Sequence, residues 1–171
     1  MDKKEILVTG AKGYIGSNFI KQYSKKYFIN VASLSSNDSP DLSNITTVLH
    51  LSALVHQTKS LPDKNYFDIN TTQTVNLAKK AKKAGVKHFI FYSTIRVYGE
   101  RGSFTDQTII LNELSKCHPD DAYGKSKLLA EEELFSLQDN QFKVTVIRPP
   151  IVYGENCKGN FSNCKGNLRF F

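Results

Sequence analysis

The stretch Ile6-Leu7-Val8-Thr9-Gly10-Ala11-Lys12-Gly13-Tyr14-Ile15-Gly16 decides how the rest of this sequence is read. A short apolar run, right for one buried strand, meets a glycine-rich turn. Ser17-Asn18-Phe19-Ile20-Lys21-Gln22-Tyr23 then continues at helical spacing. Glycines at 10, 13 and 16 fit a strand–turn–helix that holds a dinucleotide. Gly10 allows the tight turn, Gly13 lets backbone amides approach a pyrophosphate, and Gly16 lets the helix lie close on the strand. Phosphates would sit at the positive end of the helix, where N–H groups point outward. Spaced glycines also mark ordinary turns, but the strand before and the helix after favour the cofactor reading. Lys12, Tyr14 and Ile15 lie inside the same loop and join the three glycines as candidate cofactor contacts.

Working outward, 171 residues make one domain with a proper core. Hydrophobic content of 40% and charged content of 23% are those of an ordinary globular chain. No run approaches the roughly 18 apolar residues that span a bilayer. Met1-Asp2-Lys3-Lys4-Glu5 enters a strand without a signal-peptide core, so a cytoplasmic protein is expected. The net charge of +7 comes from 23 basic and 16 acidic residues. Lys79, Lys80, Lys82 and Lys83 read as one solvated helix face. No nucleic-acid reader motif accompanies them, while a mildly positive surface suits an anionic sugar nucleotide. Cys117, Cys157 and Cys164 form no CxxC pair; they read as free thiols rather than a disulfide framework or a metal site.

A first helix is expected over about 14–26 and a second strand over 27–34. A dinucleotide fold that takes NAD places an acidic residue near the end of that strand, for the adenosine ribose. Here Ser33 stands there. Lys12 could instead meet a 2′-phosphate, so NAD and NADP both stay open, with a slight lean to NADP. The turn-rich link 39–44 leaves little room for a third strand and its helix. Thr46 to Leu51 is the next buried strand. It leads into small residues, Ser52 and Ala53, that let backbone lie close to a flat cofactor; Leu51, Ser52 and Ala53 are further candidate contacts. His50 reads as a satisfied buried histidine, and His56 as a residue that could reach a substrate phosphate. Residues 66–85 form a long helix with an apolar face at Ile69, Val75, Leu77, Ala78 and Ala81. Gly85 is placed as its C-cap glycine. An apolar strand, 86–92, ends in Ser93-Thr94.

Three features after that strand belong together: Ser93-Thr94-Ile95-Arg96-Val97-Tyr98-Gly99, Tyr123-Gly124-Lys125-Ser126-Lys127, and Arg148-Pro149-Pro150-Ile151-Val152-Tyr153-Gly154. Tyr123 and Lys127, four apart at a helix start, share one helical face. Oxidising an alcohol to a ketone needs a base for the hydroxyl proton while a hydride leaves. A free tyrosine titrates near 10 and is too weak a base at neutral pH, but a neighbouring ammonium favours the phenolate. A hydroxyl can hold the substrate oxygen in line. Tyr123 is therefore assigned as acid/base and Lys127 as its electrostatic partner and nicotinamide-ribose anchor. Thr94 is the substrate orienter, with Ser93 the neighbour to test.

With these motifs in order, the chain resembles the extended short-chain dehydrogenase/reductase superfamily, and within it the nucleotide-sugar epimerases and 4-keto-sugar reductases of surface polysaccharide synthesis. The resemblance runs from Ile6 to about Phe161. It implies a Rossmann-like, doubly wound parallel α/β sheet, and Asp41-Leu42 near the adenine. It also implies Asn70 and Thr74 hydrogen-bonding across the central strands, a UDP-linked sugar as substrate, and a homodimer through helices near 66–84 and 122–138. Dehydratases of the superfamily carry an Asp-Glu pair directly after the threonine; Ile95 and Arg96 stand there instead, which counts against dehydration. Family members continue well beyond this length into a substrate-binding lobe, most of which is expected to be absent. Residues 1–155 then form the dinucleotide-binding domain. Residues 156–171, with Asn-Cys-Lys-Gly-Asn at 156–160 and again at 163–167, form an irregular tail. Two readings stay open: an NAD(P)-dependent epimerase or ketoreductase acting at sugar C4, and a non-catalytic dinucleotide-binding remnant of such an enzyme.

Overall fold

The structure, a computed structural model, describes residues 4–34, 39–55, 61–99, 110–154 and 157. Strands β1 (Glu5–Thr9), β2 (Phe28–Ala32), β3 (Thr47–His50), β4 (His88–Tyr92) and β5 (Lys143–Ile147) form one five-stranded sheet in the order β2-β1-β3-β4-β5. Every pairing is parallel, so helical crossovers must join the strands. Helix α1 (Tyr14–Tyr23) joins β1 to β2. The passage from β3 to β4 runs through α2 (Asp63–Tyr66), a π-helical turn (Phe67–Gln73) and α3 (Thr74–Lys83), and α4 (Ala122–Ser136) precedes β5. The chain steps outward from β1 to β2, then returns to place β3 on the other side of β1. That reversal opens a crevice at the carboxyl ends of β1 and β3. The doubly wound parallel sheet expected from the sequence is the one that forms.

Side-chain alternation divides the core between the two sheet faces. Leu7, Val48, Phe89, Phe91 and Val144 pack with Leu77, Ala78 and Ala81 of α3 and with Ala130 and Leu134 of α4. Ile6, Val8 and Leu49 face the other way, against Phe19, Tyr27 and Ile29. β1 and β3 are covered on both faces and read as continuous apolar runs for that reason.

The boundaries shift from expectation in three places. α1 ends at Tyr23, where the Lys26 and Tyr27 amides turn back to the Tyr23 carbonyl. β2 is limited to Phe28–Ala32 because only those five residues find partners on β1. The expected helix over 66–85 begins at Asp63 and is interrupted by the π turn, which sets Asn70 and Thr71 inward, both buried. Its end is as expected: Gly85 takes φ +84°, its amide bonds the Lys82 carbonyl and the Val86 amide bonds Ala81, closing a Schellman turn. No third strand forms among the described residues of the 33–46 link. Leu42 and Ile45 turn into the core instead, and β2 is left as the sheet edge. His56, Cys164 and nearly all of the 156–171 tail lie outside the described residues.

Candidate active site

The glycine loop is built from backbone proximity. Gly10 takes φ +70°, and a Cβ there would lie 2.7 Å from the Leu51 carbonyl carbon and 2.8 Å from the Ser52 nitrogen. A Cβ on Gly16 would overlap the Gly10 carbonyl oxygen. Larger residues would therefore push β1, α1 and the β3 loop apart, which is the cradle a pyrophosphate needs. Gly13, the N-cap of α1, brings no capping side chain, so the helix N-terminus faces the crevice through backbone. Thr9 fixes the far side: its hydroxyl accepts from the Ser52 amide at 3.2 Å and meets His50 Nδ1 at 2.8 Å. His50 Nε2 meets the Thr74 hydroxyl at 2.9 Å. Burial, helped by the Lys127 charge, pushes His50 down to about 3, so it is a neutral structural relay, as its sequence context implied.

Asn70 joins two parts of the site. Its Oδ1 accepts from the Leu54 amide at 2.7 Å, while Nδ2 donates to the Leu54 carbonyl at 3.0 Å and to the Ser126 hydroxyl at 3.1 Å. The Thr71 hydroxyl donates to the Ser126 carbonyl at 2.8 Å. The expected bonding across the central strands is thus divided: Thr74 reaches β3, whereas Asn70 ties the loop after β3 to α4. Ser33 and Asp41 line one cleft of about 420 Å³ beside β2. Asp41 accepts from the Ser43 amide at 2.9 Å, and this bond, seconded by the Ser43 hydroxyl, lowers its pKa. Leu42 is buried in the core, so any adenine contact there falls to Asp41 and backbone.

The tyrosine, threonine and lysine converge at the carboxyl end of β4. Asp121 caps α4 by accepting from the Gly124 amide at 2.7 Å, which fixes where Tyr123 begins the helix. The Thr94 hydroxyl acts on the Tyr123 phenol, favouring its charged form. A cleft of about 450 Å³ opens beside them, walled by Thr94, Arg96, Asp121, Pro149, Pro150 and Ile151. Lys127 is anchored at the end of β4. Its Nζ donates to the Tyr92 carbonyl at 2.7 Å and lies 3.9 Å above the Phe91 ring, and burial pulls its pKa down to about 7. Burial also pushes Tyr123 above the ordinary phenol value. The Thr94 hydroxyl pulls it back, as does the Arg96 guanidinium, while Asp121 adds to the rise.

Sequence reasoning missed Glu131 and used Arg96 only as a departure from dehydratases. Arg96 donates to Asp121 at 2.7 Å at the mouth of the cleft. Glu131 is buried and paired with Arg148 at 2.6 Å. The signal for Glu131 was present: Tyr123, Lys127 and Glu131 recur every four residues and so share one helical face.

The chain is 35% identical to a UDP-glucose 4-epimerase of Vibrio cholerae over 94% of its own length and 55% of that protein. Among solved structures it is similar to the UDP-Glc/GlcNAc 4-epimerase of Campylobacter jejuni, with TM-score 0.70 and 30% identity over 85% of this chain and 53% of that one. It is also similar to the UDP-glucuronic acid 4-epimerase of Bacillus cereus in complex with NAD, with TM-score 0.70 and 26% identity over 88% and 57%. The chain spans about half the length of the curated relatives it matches. The profile of the NAD dependent epimerase/dehydratase family matches residues 6–166, with the glycine loop, Thr94, Tyr123 and Lys127 all inside the match, and the chain belongs to that family.

Proposed function

We propose that this chain carries the hydride-transfer site of an NAD(P)-dependent enzyme acting at C4 of a UDP-linked sugar, as an epimerase or a 4-keto-sugar reductase of bacterial polysaccharide synthesis. The observation that carries the reading is Thr94 on the cleft wall, its hydroxyl favouring the phenolate of Tyr123, which lies one helical turn from Lys127 on α4, together with the glycine cradle at the β1–β3 crevice. Gly10, Gly13 and Gly16 would hold the pyrophosphate of a dinucleotide, Ser33 and Asp41 its adenosine, and Leu51, Ser52, Ala53 and Lys127 the rest of it. Bound there, the nicotinamide supplies the hydride acceptor or donor. The residues of the chain handle the proton: Thr94 holds the sugar oxygen, and Tyr123 takes its proton on oxidation or returns one to a ketone. The raised Tyr123 pKa keeps the phenol protonated in the unliganded chain, ready for the return step. Residues 1–155 act as the dinucleotide-binding domain of a cytoplasmic protein. A homodimer through the helices near 66–84 and 122–138, where Leu129 and Phe135 of α4 are exposed, is testable by sedimentation.

Calorimetric titration with NAD, NADH, NADP and NADPH tests the reading, after a check for dinucleotide that co-purifies. Micromolar or tighter binding supports the cradle, and the preferred form decides between Ser33 with NAD and Lys12 with NADP. Tightly retained NAD favours the epimerase and exchangeable NADPH the reductase. Binding with no turnover of UDP-hexoses supports the dinucleotide-binding remnant. No binding of any of the four overturns the cofactor site.

A further inference from the structure

Glu131 lies on α4 at 1% exposure, and a carboxylate in such a place is costly unless it is paired and hydrogen-bonded. Its partners come from two separate segments. The Ser93 hydroxyl donates to Oε1. Arg148 donates through Nη2 and Nε to Oε2 at 2.6 and 3.0 Å, with Nε also 3.3 Å from Oε1. Ser93 directly precedes Thr94, and Arg148 directly precedes the Pro149-Pro150-Ile151 wall of the cleft. The two segments are also stitched to each other: the Ser93 amide donates to the Ile147 carbonyl at 2.7 Å and the Ile95 amide to the Pro149 carbonyl at 3.0 Å. Arg148 Nη1 extends the set to the Tyr98 hydroxyl at 2.8 Å, which donates to the Asn112 carbonyl at 2.9 Å. One carboxylate therefore grips both sides of the cleft from the helix that bears Tyr123.

We propose that Glu131 is a positioning residue: by holding Ser93 and Arg148 together it fixes where the Thr94 hydroxyl lies on the cleft wall and sets the Pro149–Ile151 side of that wall. The proposal rests on Tyr123 being the acid/base group. An apolar pair of similar volume would fill the same space, but a carboxylate that takes a forked guanidinium and a hydroxyl at once also dictates direction. Its reach to Thr94 runs through the neighbouring residue, so its effect is on where the threonine hydroxyl lies.

The test is the titration of Tyr123 in the full chain carrying ring-labelled tyrosine, followed by NMR and assigned with Tyr123→Phe. The groups around this phenol are Thr94 at the end of β4, Arg96 in the turn after it, Asp121 at the α4 cap, and Lys127 one turn on. Lys127, at about 7, is already neutral where the phenol titrates. Loss of the Thr94 hydroxyl's pull moves Tyr123 upward, whereas loss of the Glu131 charge alone would move it down. The direction thus separates positioning from charge. Glu131→Gln is expected to shift the titration up, by no more than Thr94→Val does, and the double variant to shift no further than Thr94→Val. An unshifted or lowered titration in folded Glu131→Gln, or additive shifts in the double variant, overturns the proposal. If Glu131→Gln does not fold, Arg148→Lys keeps the charge and loses the fork; it is expected to shift Tyr123 up, and an unchanged titration overturns the proposal. Dinucleotide binding measured in parallel bears on the cofactor reading alone, so the two can fail separately.

Discussion

Lys127 is a lysine held where its charge is disfavoured, and that has a consequence for stability. Unfolded, it keeps its proton to about 10.5; folded, it releases it near 7. Between those values the unfolded state binds more protons, so stability rises as pH rises from about 7 toward 10, and the full penalty stands below 7. Each unit of displacement is worth about 1.4 kcal/mol, so Lys127→Met should stabilise the chain by a few kcal/mol at pH 6 and flatten the profile above 7. Urea unfolding of both proteins at pH 6, 8 and 9 measures this; parallel profiles would show that the amine is not held as described. Tyr123→Phe deletes only the phenol hydroxyl. Turnover should fall to the background rate while dinucleotide affinity changes less than about twofold, a loss confined to the chemical step. Activity equal to the parent in that variant would remove Tyr123 from the acid/base role.

At the scale of elements, the βα turn and the α3 terminus use glycine for different reasons, which makes them a matched pair. Gly10 and Gly85 both take positive φ, but a Cβ at Gly85 meets nothing within 4 Å whereas one at Gly10 meets the β3 loop. Gly85→Ala should cost about 1–2 kcal/mol, the strain of a left-handed alanine, and leave dinucleotide titration unchanged. Gly10→Ala adds displacement of Leu51 and Ser52, so its cost should be larger and binding should be lost. Equal binding losses in the two variants would mean that the cradle does not hold the ligand. The π turn at Phe67–Gln73 has a similar logic. It turns Asn70 and Thr71 to the loop after β3 and to α4, so a break in helical regularity is matched by side-chain bonds that an uninterrupted helix would not direct there.

For the whole molecule, stability rests on the face where α3 and α4 cover β3 and β4. Phe89 is fully buried there, with ring centroids of His50 and Phe142 at 5.8 and 6.3 Å. Phe89→Ala should cost about 3–5 kcal/mol in denaturant unfolding; a cost below about 1 kcal/mol would place the main core elsewhere. The outer strands contribute less: β2 leaves Phe28 and Val31 more than half exposed, and Ile147 of β5 is 40% exposed. No helix among the described residues is long and apolar enough to cross a membrane.

Much of this was legible in the residues themselves because the signals are local. The order strand, glycine turn, helix is written within Ile6–Tyr23, the Tyr123–Lys127 spacing follows from one helical turn, and Gly85 marks a helix end by its own backbone freedom. The parallel sheet was implied by the resemblance those motifs carry, and the short 33–46 link forms no strand among its described residues. What the sequence could not supply is which distant group each polar side chain meets. Lys127 finds the Tyr92 carbonyl 35 residues away, Thr9 finds His50 at 41, and Glu131 finds Arg148 at 17. Those partners, and with them the titration of Tyr123 and Lys127, exist only once strand order and register bring the carboxyl ends of β1, β3, β4 and β5 together. Periodicity and backbone freedom belong to a few adjacent residues, but burial and hydrogen-bond partnership belong to the folded chain.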